Sequence, residues 1–542
     1  MKKIKLGTVT GPFLLLILAA GFAWASGDDL YVFIRLFERI AVTVSDRYVE
    51  NLDSEKLIYA GIDGMMEKLD PYSKYLTDKD YYYLLQETSG EYSGIGIEME
   101  KNGDSLWVSS VIKDTPASRA NIRVGDRILA VDTVGVLEKS IADCRKLLRG
   151  NDGSQVVLKL WRPLLKKELV VEMTREEIHI EPVPYWFVDS NNSGYIKISR
   201  FSEGSALKVK SIIGLLEGKN VSGLIIDLRD NPGGLLYESV EIAALFLNQG
   251  DKIVETKSRE GLSLRTYEAR EDGICKDIPV AVLINGQTAS AAEIVAGAIQ
   301  DNDRGLIIGS SSYGKGLVQQ ILQFSDQSAL KLTTAKYYTP SERCIQKKGY
   351  ESEVIESLNG EEGVVYFTKS GRPVFGGGGI VPDIYVEPLA NQPIIDEIVT
   401  NGYVNDFVSE HSIGGGVDGN FQVGDKLVDQ FVEYVNRRGY LYHNAVFSSF
   451  DEFTKADAES PDHLKYDKQI ESIQETLTDN ARSELAALKP QLKDLLYEYF
   501  LKINLGEKQA YELAHQHTDP EITRAGQVLK DPEIYSSLLA GY

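Results

Sequence analysis

The chain has 542 residues, 43% of them hydrophobic and 25% charged, a composition typical of a globular protein rather than a disordered one. Its length predicts about three or four domains. The formal net charge of −22 argues against a nucleic-acid-binding protein, because contacts to phosphates need a basic surface. The three cysteines are an odd number and widely spaced, which indicates neither a disulfide framework nor a metal site.

The N-terminal segment, residues 1–25, has the pattern of an export signal. Lysines open it, an apolar run follows at 13–20, and a small-residue cleavage pattern lies at 23–25. The stretch 6–25 is also long enough to remain as a membrane anchor, and the sequence leaves both alternatives open. Either alternative predicts an exported protein, located in the periplasm or anchored to the inner membrane.

Residues 26–88 are predicted to form an N-terminal helical region. Apolar side chains recur at helical spacing within 31–41 and again within 57–69. Asp70-Pro71 ends this pattern, and a further short helix is predicted around 81–85.

Residues 89–175 are predicted to form a strand-rich domain. Short runs of alternating apolar and polar side chains are separated by turn signals, and one helix is expected at about 140–148. A unit of this size, with strands and one helix that form a groove, suits a peptide-binding domain.

A glycine-spaced segment opens this domain and is the candidate peptide-binding site. Its amides would capture a terminal carboxylate, and its two isoleucines would line an apolar pocket. The alternative is a glycine-rich turn before an edge strand. The segment consists of Gly94, Ile95, Gly96 and Ile97.

Residues 176–390 alternate apolar strands with helices. This order predicts an α/β domain with a largely parallel sheet. From 391 to 542 the pattern is helical and polar, which predicts a helical C-terminal region without a catalytic signal.

Ser290 is the candidate nucleophile. It follows the apolar strand 281–284 and precedes a helix, so it lies at the carboxyl edge of the sheet, where α/β proteins place their sites. The helix would direct its N-terminal amides toward an oxyanion on the attacked carbonyl. A helix N-cap is the ordinary role of a serine in this position, and the sequence alone leaves that alternative open.

Lys315 is the candidate base, because a serine paired with a lysine can hydrolyse peptides without a histidine. As a base it must be neutral, so burial would have to lower its pKa by several units. The flanking glycines, Gly314 and Gly316, allow close approach of the backbone and fit a buried amine. An exposed loop lysine is the alternative.

The positions of the histidines argue against a histidine as the catalytic base. Of the six histidines only His179 precedes residue 400, and none has the context of a Ser-His-Asp triad. Histidines, cysteines and carboxylates also lack ligand spacing, so neither a metal nor a cofactor is expected.

The turn Asn231-Pro232-Gly233-Gly234 follows another apolar strand and precedes a helix. Such a sequence is well suited to a strand-to-helix turn. The backbone N–H groups of its glycines would also supply an oxyanion donor opposite the N–H of Ala291. Both interpretations can hold together.

Taken together, these segments resemble the carboxyl-terminal processing peptidases, also called tail-specific proteases. The resemblance covers about residues 30–390 and is carried by ordered motifs at consistent spacing. They are Leu69-Asp70-Pro71-Tyr72-Ser73, Gly94-Ile95-Gly96, Asp227-Leu228-Arg229, Asn231-Pro232-Gly233-Gly234, Ala289-Ser290-Ala291, Gly314-Lys315-Gly316 with Gln319, Leu332-Thr333-Thr334-Ala335-Lys336-Tyr337-Tyr338 and Gly379-Ile380-Val381-Pro382-Asp383.

The resemblance implies an α/β multidomain protein: a crotonase-like α/β protease core with a PDZ domain inserted ahead of it and helical regions at both ends. It implies that Ser290 is the nucleophile, Lys315 the general base and Gln319 the residue that orients the lysine. The oxyanion amides would come from Ala291 and the Gly233-Gly234 turn. The PDZ domain would bind the C-terminal tail of the substrate and gate the site.

The predicted function is that of an exported serine endopeptidase that cleaves proteins near free, apolar C-termini. Two alternatives are a non-catalytic PDZ scaffold on a protease-like core and a trypsin-fold protease with a PDZ domain. Intact Ser290, Lys315 and Gln319 argue against the first, and the missing histidine argues against the second. The loop at 347–378 has no assigned role, and tails such as 391–542 scaffold assembly in relatives, which leaves a homo-oligomer open.

Overall fold

The computed structural model describes most of the chain between residues 28 and 541. The predicted export signal or anchor at 1–25 and the larger part of the predicted loop at 347–378 lie outside the described residues. The described ranges are 28–102, 105–137, 139–162, 165–325, 327–347, 364–387, 393–411, 421–438, 449–450, 452–455 and 467–541.

The chain divides into two units. The smaller comprises Met1–Asp78, Gln319–Thr333 and Tyr350–Ser357. The larger comprises Lys79–Val318, Thr334–Gly349 and Leu358–Tyr542. None of the helices described in either unit has the length and apolarity needed to cross a membrane.

The smaller unit begins with two helices, α1 (Asp28–Arg47) and α2 (Ser54–Met66), which confirms the predicted helical pattern. Asp53 caps α2 by accepting hydrogen bonds from the N–H groups of Glu55 and Lys56. A strand that the helical prediction did not include, β1 (Lys74–Leu76), pairs antiparallel with residues 329–331 of a later strand. At three residues, β1 is too short to give a periodic signal.

The larger unit opens with α3 (Asp78–Ser89) and then forms an antiparallel sheet with two helices beside it. The sheet order is β3-β4-β5-β7-β8, and β6 pairs with β5. The elements are β3 (Ile97–Asn102), β4 (Ser105–Val111), α4 (Pro116–Arg119), β5 (Arg127–Val131), β6 (Val134–Gly135), α5 (Ile141–Leu148), β7 (Gln155–Arg162) and β8 (Lys167–Thr174).

This strand-rich domain is an insertion whose two ends meet in a short ribbon. The strand before it, β2 (Glu91–Gly94), pairs antiparallel with the strand after it, β9 (Glu176–His179). The predicted helix is present as α5, and its N-cap Ser140 accepts a hydrogen bond from the N–H of Asp143. The domain has an apolar core of its own, formed by residues such as Ile128, Val131, Leu158 and Leu160.

A second sheet carries the predicted α/β pattern, with the order β10-β11-β12-β15-β16-β21. Only β10 is antiparallel to its neighbour, so the prediction of a largely parallel sheet is confirmed. The elements are β10 (Tyr185–Val188), β11 (Ser193–Lys197), α6 (Ser205–Glu217), β12 (Gly223–Asp227), α7 (Leu236–Ala244), β15 (Val280–Ile284), α8 (Ala291–Asp301), β16 (Leu306–Gly309) and β21 (Ile384–Tyr385).

Alternate side chains of these strands enter two different apolar cores, as the pleat of a strand requires. Ile226 and Val282 point to one face, where they pack with core residues of α6, α7 and α8. Ile225 and Leu283 point to the opposite face, which is covered by the two last helices of the chain, α15 (Pro520–Lys530) and α16 (Pro532–Ala540).

The other strands form a further sheet and a small ribbon. Within the larger unit, β13 pairs antiparallel with β14 and with residues 336–338 of β18. Strand β17 pairs with β18. The strands are β13 (Lys252–Lys257), β14 (Ser263–Glu268), β17 (Leu317–Gln323) and β18 (Ala329–Tyr338), and the ribbon is β19 (Val365–Phe367) with β20 (Pro373–Phe375).

The C-terminal region is helical, as predicted. Its helices form an apolar core around Phe407, Phe431 and Phe500. They also contact the strand-rich domain, where the side-chain amide of Asn405 donates to Glu100 at 2.9 Å. The helices are α9 (Pro393–Thr400), α10 (Tyr403–His411), α11 (Asp425–Arg437), α12 (Asp467–Ala487), α13 (Lys489–Leu505) and α14 (Glu507–Thr518), followed by α15 and α16.

Candidate active site

Ser290 lies where the sequence places it, between the buried strand β15 and the first residue of α8. Its backbone adopts φ 57° and ψ −117°, a conformation that a residue with a Cβ rarely takes. Such strain persists only where surrounding contacts fix it, and it concentrates at functional sites. Two such contacts are present: the Ser290 N–H donates to Glu293, and the Tyr337 hydroxyl donates to the Ser290 carbonyl at 3.2 Å.

Glu293, the third residue of α8, is a fully buried carboxylate that joins two loops. Its Oε2 accepts from the backbone N–H groups of Ser290 and Lys315, at 2.8 and 2.9 Å. Its Oε1 accepts from the hydroxyl of Ser312 at 2.6 Å and from the N–H of Gly314 at 2.7 Å. Burial raises the pKa of Glu293 to about 7, although these four hydrogen bonds favour the charged form.

Glu293 was not among the residues predicted from the sequence to form the site. A serine followed three residues later by a glutamate is the pattern of a helix capping box, and that pattern would have predicted the bond from the Ser290 N–H. It would not have predicted the second loop, because the bonds to residues 312–315 depend on the tertiary fold.

Lys315 is half-buried, on the loop that follows β16. The glycine before it, Gly314, has φ 87°, and a Cβ there would lie 2.8 Å from the Cβ of Lys347. The glycine after it, Gly316, donates its N–H to the buried side chain of Gln346 at 2.9 Å. The close backbone approach predicted for both glycines is therefore present. Through Glu293, the structure brings the backbones of Lys315 and Ser290 side by side.

The Gly233-Gly234 turn packs directly against the serine. A Cβ on Gly233 would lie 2.8 Å from the Cβ of Ser290 and 3.0 Å from the backbone nitrogen of Ala291. Gly234 has φ 144°, and a Cβ on it would lie 2.1 Å from the carbonyl oxygen of Phe201. Only glycine fits at these two positions.

The two glycines differ in what their N–H groups do. The Gly233 N–H donates to the side-chain oxygen of Asn231 at 2.8 Å, so in this conformation it is not presented to a substrate, unlike the prediction. For Gly234 and Ala291, no acceptor of the N–H group is found among the residues that the structure describes. Ala291 follows Ser290 directly, and Gly234 follows the glycine that packs against Ser290.

The turn is also tied to the serine loop. Asn285, directly after β15, forms two hydrogen bonds with Asp230. Its side-chain oxygen accepts from the Asp230 N–H at 3.0 Å, and its side-chain amide donates to the Asp230 carboxylate at 2.9 Å. The N–H of Ala289 donates to the carbonyl of Asn231 at 2.9 Å. The positions of the turn and of the nucleophile are therefore coupled.

Arg229, at the start of the turn, lies in a buried group of charges. It pairs with Asp227 at the end of β12, and it also contacts Asp519 and Glu521 from the C-terminal region. Burial lowers the pKa of Arg229, but Asp227 and Asp519 outweigh it and keep that pKa well above its ordinary value. The pKa of Asp227 is held low by Arg229 and Lys197, again against the effect of burial. The region that supplies Asp519 and Glu521 was predicted to be helical and without a catalytic signal.

Gln319 belongs to the smaller unit. Its side-chain amide donates to the hydroxyl of Thr333 at 3.2 Å, and both residues lie in that unit. The predicted role of Gln319 toward Lys315 stays a prediction.

The predicted peptide-binding segment connects β2 and β3. Ile95 and Ile97 belong to the apolar core of the strand-rich domain, together with Leu148 of α5. Gly96 has φ 79°, and a Cβ there would lie 2.4 Å from the Thr115 side chain. Gly94 is the last residue of β2. The peptide-binding role of the segment 94–97 stays a prediction.

One group of metal-ligand type is present within the described ranges. Donor atoms of Glu91, Glu177 and His179 lie within 4.8 Å of one another on the ribbon of β2 and β9. Cross-strand pairing brings these residues together, which is why spacing along the sequence did not reveal them. The group shares no residue with the surroundings of Ser290.

Three family descriptions match parts of the chain. "Peptidase family S41" matches residues 192–355, "PDZ domain" matches residues 107–162, and "Probable PDZ-protease, C-terminal helical domain" matches residues 391–529. The second match confirms the predicted PDZ domain, which is the strand-rich domain described above.

Two curated relatives are similar over most of their length. A carboxy-terminal-processing protease of Bartonella bacilliformis is 34% identical over 354 residues, which are 64% of this chain and 81% of that protein. A probable CtpA-like serine protease of Staphylococcus epidermidis is 31% identical over 428 residues, 75% of this chain and 83% of that protein.

Among solved structures, the photosystem II D1 C-terminal processing protease is 27% identical, with a TM-score of 0.38. The match covers 65% of this chain and 92% of the chain of that protease. The PDZ domain of a carboxy-terminal protease from Vibrio cholerae, in complex with a peptide, is 28% identical. It covers 17% of this chain and 99% of its own, with a TM-score of 0.16.

Proposed function

The chain belongs to the carboxy-terminal-processing proteases of peptidase family S41, which are serine-type proteases, and from this premise we propose that Ser290 and Lys315 form its catalytic dyad. Membership confirms the resemblance inferred from the motifs. The observation that carries the dyad is the shared carboxylate of Glu293, which holds the backbones of both residues. The crotonase-like description of the core belongs to the same proposal.

In the proposed reaction, Oγ of Ser290 attacks the scissile carbonyl carbon while its proton passes to the neutral Nζ of Lys315. The protonated lysine then gives this proton to the leaving amine nitrogen. Water hydrolyses the acyl-enzyme, with Lys315 acting as the base a second time, and Ser290 is regenerated.

The negative charge that develops on the carbonyl oxygen needs hydrogen-bond donors. We assign this role to the N–H groups of Gly234 and Ala291, which have no acceptor among the described residues. The contact of Gly233 with Ser290 supports the assignment, because it sets the turn against the nucleophile. Gln319 is assigned the orientation of Lys315 on the strength of the family motif alone.

The PDZ domain is proposed to bind free, apolar C-terminal tails of exported proteins. Strand β3 pairs only with β4 in the part of the chain that the structure describes, and α5 contacts it. An extended peptide could therefore add to β3 as a further strand, with its carboxylate at the segment 94–97. The lysine-rich, apolar start of the sequence supports export, and retention of that segment as an anchor is the alternative.

The test is proteolysis of peptides with free apolar C-termini by the full-length protein. Ser290→Ala and Lys315→Ala should each abolish cleavage and leave the thermal unfolding temperature unchanged within a few degrees. Gln319→Ala should weaken cleavage without abolishing it. Lys530→Ala, an exposed lysine at the end of α15, is the control and should cleave normally.

Retained cleavage in Lys315→Ala would contradict the dyad. A protein that neither cleaves these peptides nor reacts with a serine-directed covalent probe at Ser290 would be a non-catalytic scaffold.

A further inference from the structure

Two carboxylates from the C-terminal region reach the loop that carries the proposed oxyanion donor. Oδ2 of Asp519 lies 2.9 Å from Nη1 of Arg229, and Oε2 of Glu521 contacts the same nitrogen. The three side chains are only 8–11% exposed. Both carboxylates belong to the start of α15. Glu521 is 292 residues away from Arg229 along the chain.

The guanidinium is held from two sides. Its Nε and Nη2 donate to the carboxylate of Asp227, at distances from 2.5 to 3.1 Å, which fixes one edge. Its Nη1 faces Asp519 and Glu521, which fixes the other edge. The main chain is fixed as well, because Nζ of Lys197 donates to the Arg229 carbonyl at 2.7 Å.

Arg229 is followed by the residues that shape the turn. Asp230 adopts φ 60°, and the side chain of Asn231 accepts the N–H of Gly233 and donates to the carbonyl of Ile198 at 2.8 Å. This short segment connects Arg229 to Gly234 without any helix or strand between them. A displacement of Arg229 is therefore passed on to the turn, whose N–H groups must point at the reacting carbonyl.

We propose that Asp519 and Glu521 are positioning residues for catalysis, which act through Arg229 to hold the Gly233-Gly234 turn against Ser290. This inference rests on the proposed function and deepens it, because it makes the start of α15 a part of the active-site structure. When either carboxylate is neutralised, Nη1 of Arg229 loses one of its two charged partners, while Asp227 still holds the opposite edge, so the guanidinium is expected to shift.

The chain supplies its own matched control. The sequence Asp-Pro-Glu-Ile occurs at 519–522, at the start of α15, and again at 531–534, at the start of α16. Both aspartates cap their helices in the same way, with Oδ1 accepting two backbone N–H groups at 3.0 Å for Asp519 and at 3.1 Å for Asp531. Glu533 is exposed, and in the described part of the chain the second copy forms no ion pair.

The experiment compares Asp519→Asn, Glu521→Gln and the double variant with Asp531→Asn/Glu533→Gln. Asparagine caps a helix as well as aspartate does, so these changes remove charge and keep the helix start. We expect kcat on a peptide substrate to fall about tenfold in the first set, with KM unchanged within twofold, because a displaced oxyanion donor affects the transition state and not substrate binding. Glu521→Asp, which keeps the charge, should retain more activity than Glu521→Gln.

A second measurement is independent of catalysis. Amide hydrogen exchange of the segment 228–235 should become faster in Asp519→Asn and Glu521→Gln and stay unchanged in the control. If the double variant does not fold, kcat and amide exchange are compared in the two single variants and the control.

Unchanged exchange of 228–235 in both single variants, or a kcat equal to that of the control, would overturn the positioning role. If the wild-type protein neither cleaves peptides nor labels at Ser290, the proposed function fails, and the exchange measurement alone decides whether these carboxylates hold the turn.

Discussion

The backbone N–H groups of Ser290 and Lys315 donate to one and the same atom, Oε2 of Glu293, at 2.8 and 2.9 Å. A buried carboxylate thus helps to set how far apart the proposed nucleophile and the proposed base are held. The two loops are also joined directly, because the N–H of Tyr313 donates to the carbonyl of Thr288 at 2.9 Å. The geometry of the dyad therefore depends on a residue that performs no chemistry itself.

Glu293→Gln is expected to lower kcat by about ten- to a hundredfold. The amide has one acceptor oxygen in place of two, so at least one buried N–H loses its partner, at a cost of about 1–3 kcal/mol. Steady-state cleavage of a peptide is the measurement, and Glu241→Gln, an exposed glutamate on α7, is the control. Wild-type kcat in Glu293→Gln would contradict the role of this carboxylate.

The raised pKa of Glu293 also predicts a pH dependence of stability. The folded-state pKa of about 7 exceeds the ordinary value of 4.5, so the folded protein binds the proton more tightly than the unfolded chain does. The contribution of Glu293 to the free energy of unfolding is then complete below pH 4.5 and is lost as the pH rises through about 7.

Its size is about 3 kcal/mol for a pKa shift of this extent. The measurement is chemical unfolding of the wild type and of Glu293→Gln at several pH values between 4 and 9. The difference in stability between the two proteins should shift in favour of the glutamine variant as the pH rises. A difference that does not change with pH would show that Glu293 has an ordinary pKa.

Gly234→Ala is expected to abolish activity and to destabilise the protein. A Cβ at this position would lie 2.1 Å from the Phe201 carbonyl oxygen, and φ 144° is unfavourable for alanine, so the turn must move away from Ser290. Gly286→Ala is the matched control in the serine loop, because the nearest atom to its Cβ would be the Ser311 carbonyl oxygen at 4.0 Å. The measurements are the peptide cleavage rate and the thermal unfolding temperature of both variants. Wild-type activity in Gly234→Ala would contradict the claim that only glycine fits at this position.

Peptides that end in an apolar residue with a free carboxylate should stimulate cleavage of a second substrate. The same peptides with an amidated C-terminus should not, because the proposed PDZ site at 94–97 recognises the carboxylate with backbone N–H groups. The measurement is the rate of cleavage of a fluorogenic reporter peptide at increasing concentrations of each effector. Equal stimulation by both forms would exclude carboxylate sensing.

Patterns that repeat along the chain predicted most of the fold. The continuous apolar runs of β12 and β15 gave the parallel sheet, and glycine pairs such as Gly233-Gly234 marked a turn that the tertiary structure indeed places beside Ser290. Both signals are local: a buried strand needs apolar side chains on both faces, and a tight turn needs residues without a Cβ.

The features that sequence reasoning missed are contacts between distant segments. The pairing of Arg229 with Glu521 joins positions 292 residues apart, and nothing in the helical spacing around Glu521 marks it as different from Glu533. The cross-strand neighbours Glu91 and His179 escaped notice for the same reason. Such contacts depend on register and packing, which a single sequence does not encode in a local pattern.

The second face of the sheet that carries Ser290 has a consequence for the order of folding. Ile225 and Leu283 are covered by α15 and α16, which are synthesised long after the strands they cover. Until both helices pack onto it, this side of the sheet exposes an apolar surface to water, so the core of the sheet is complete only after the C-terminal helices have folded onto it.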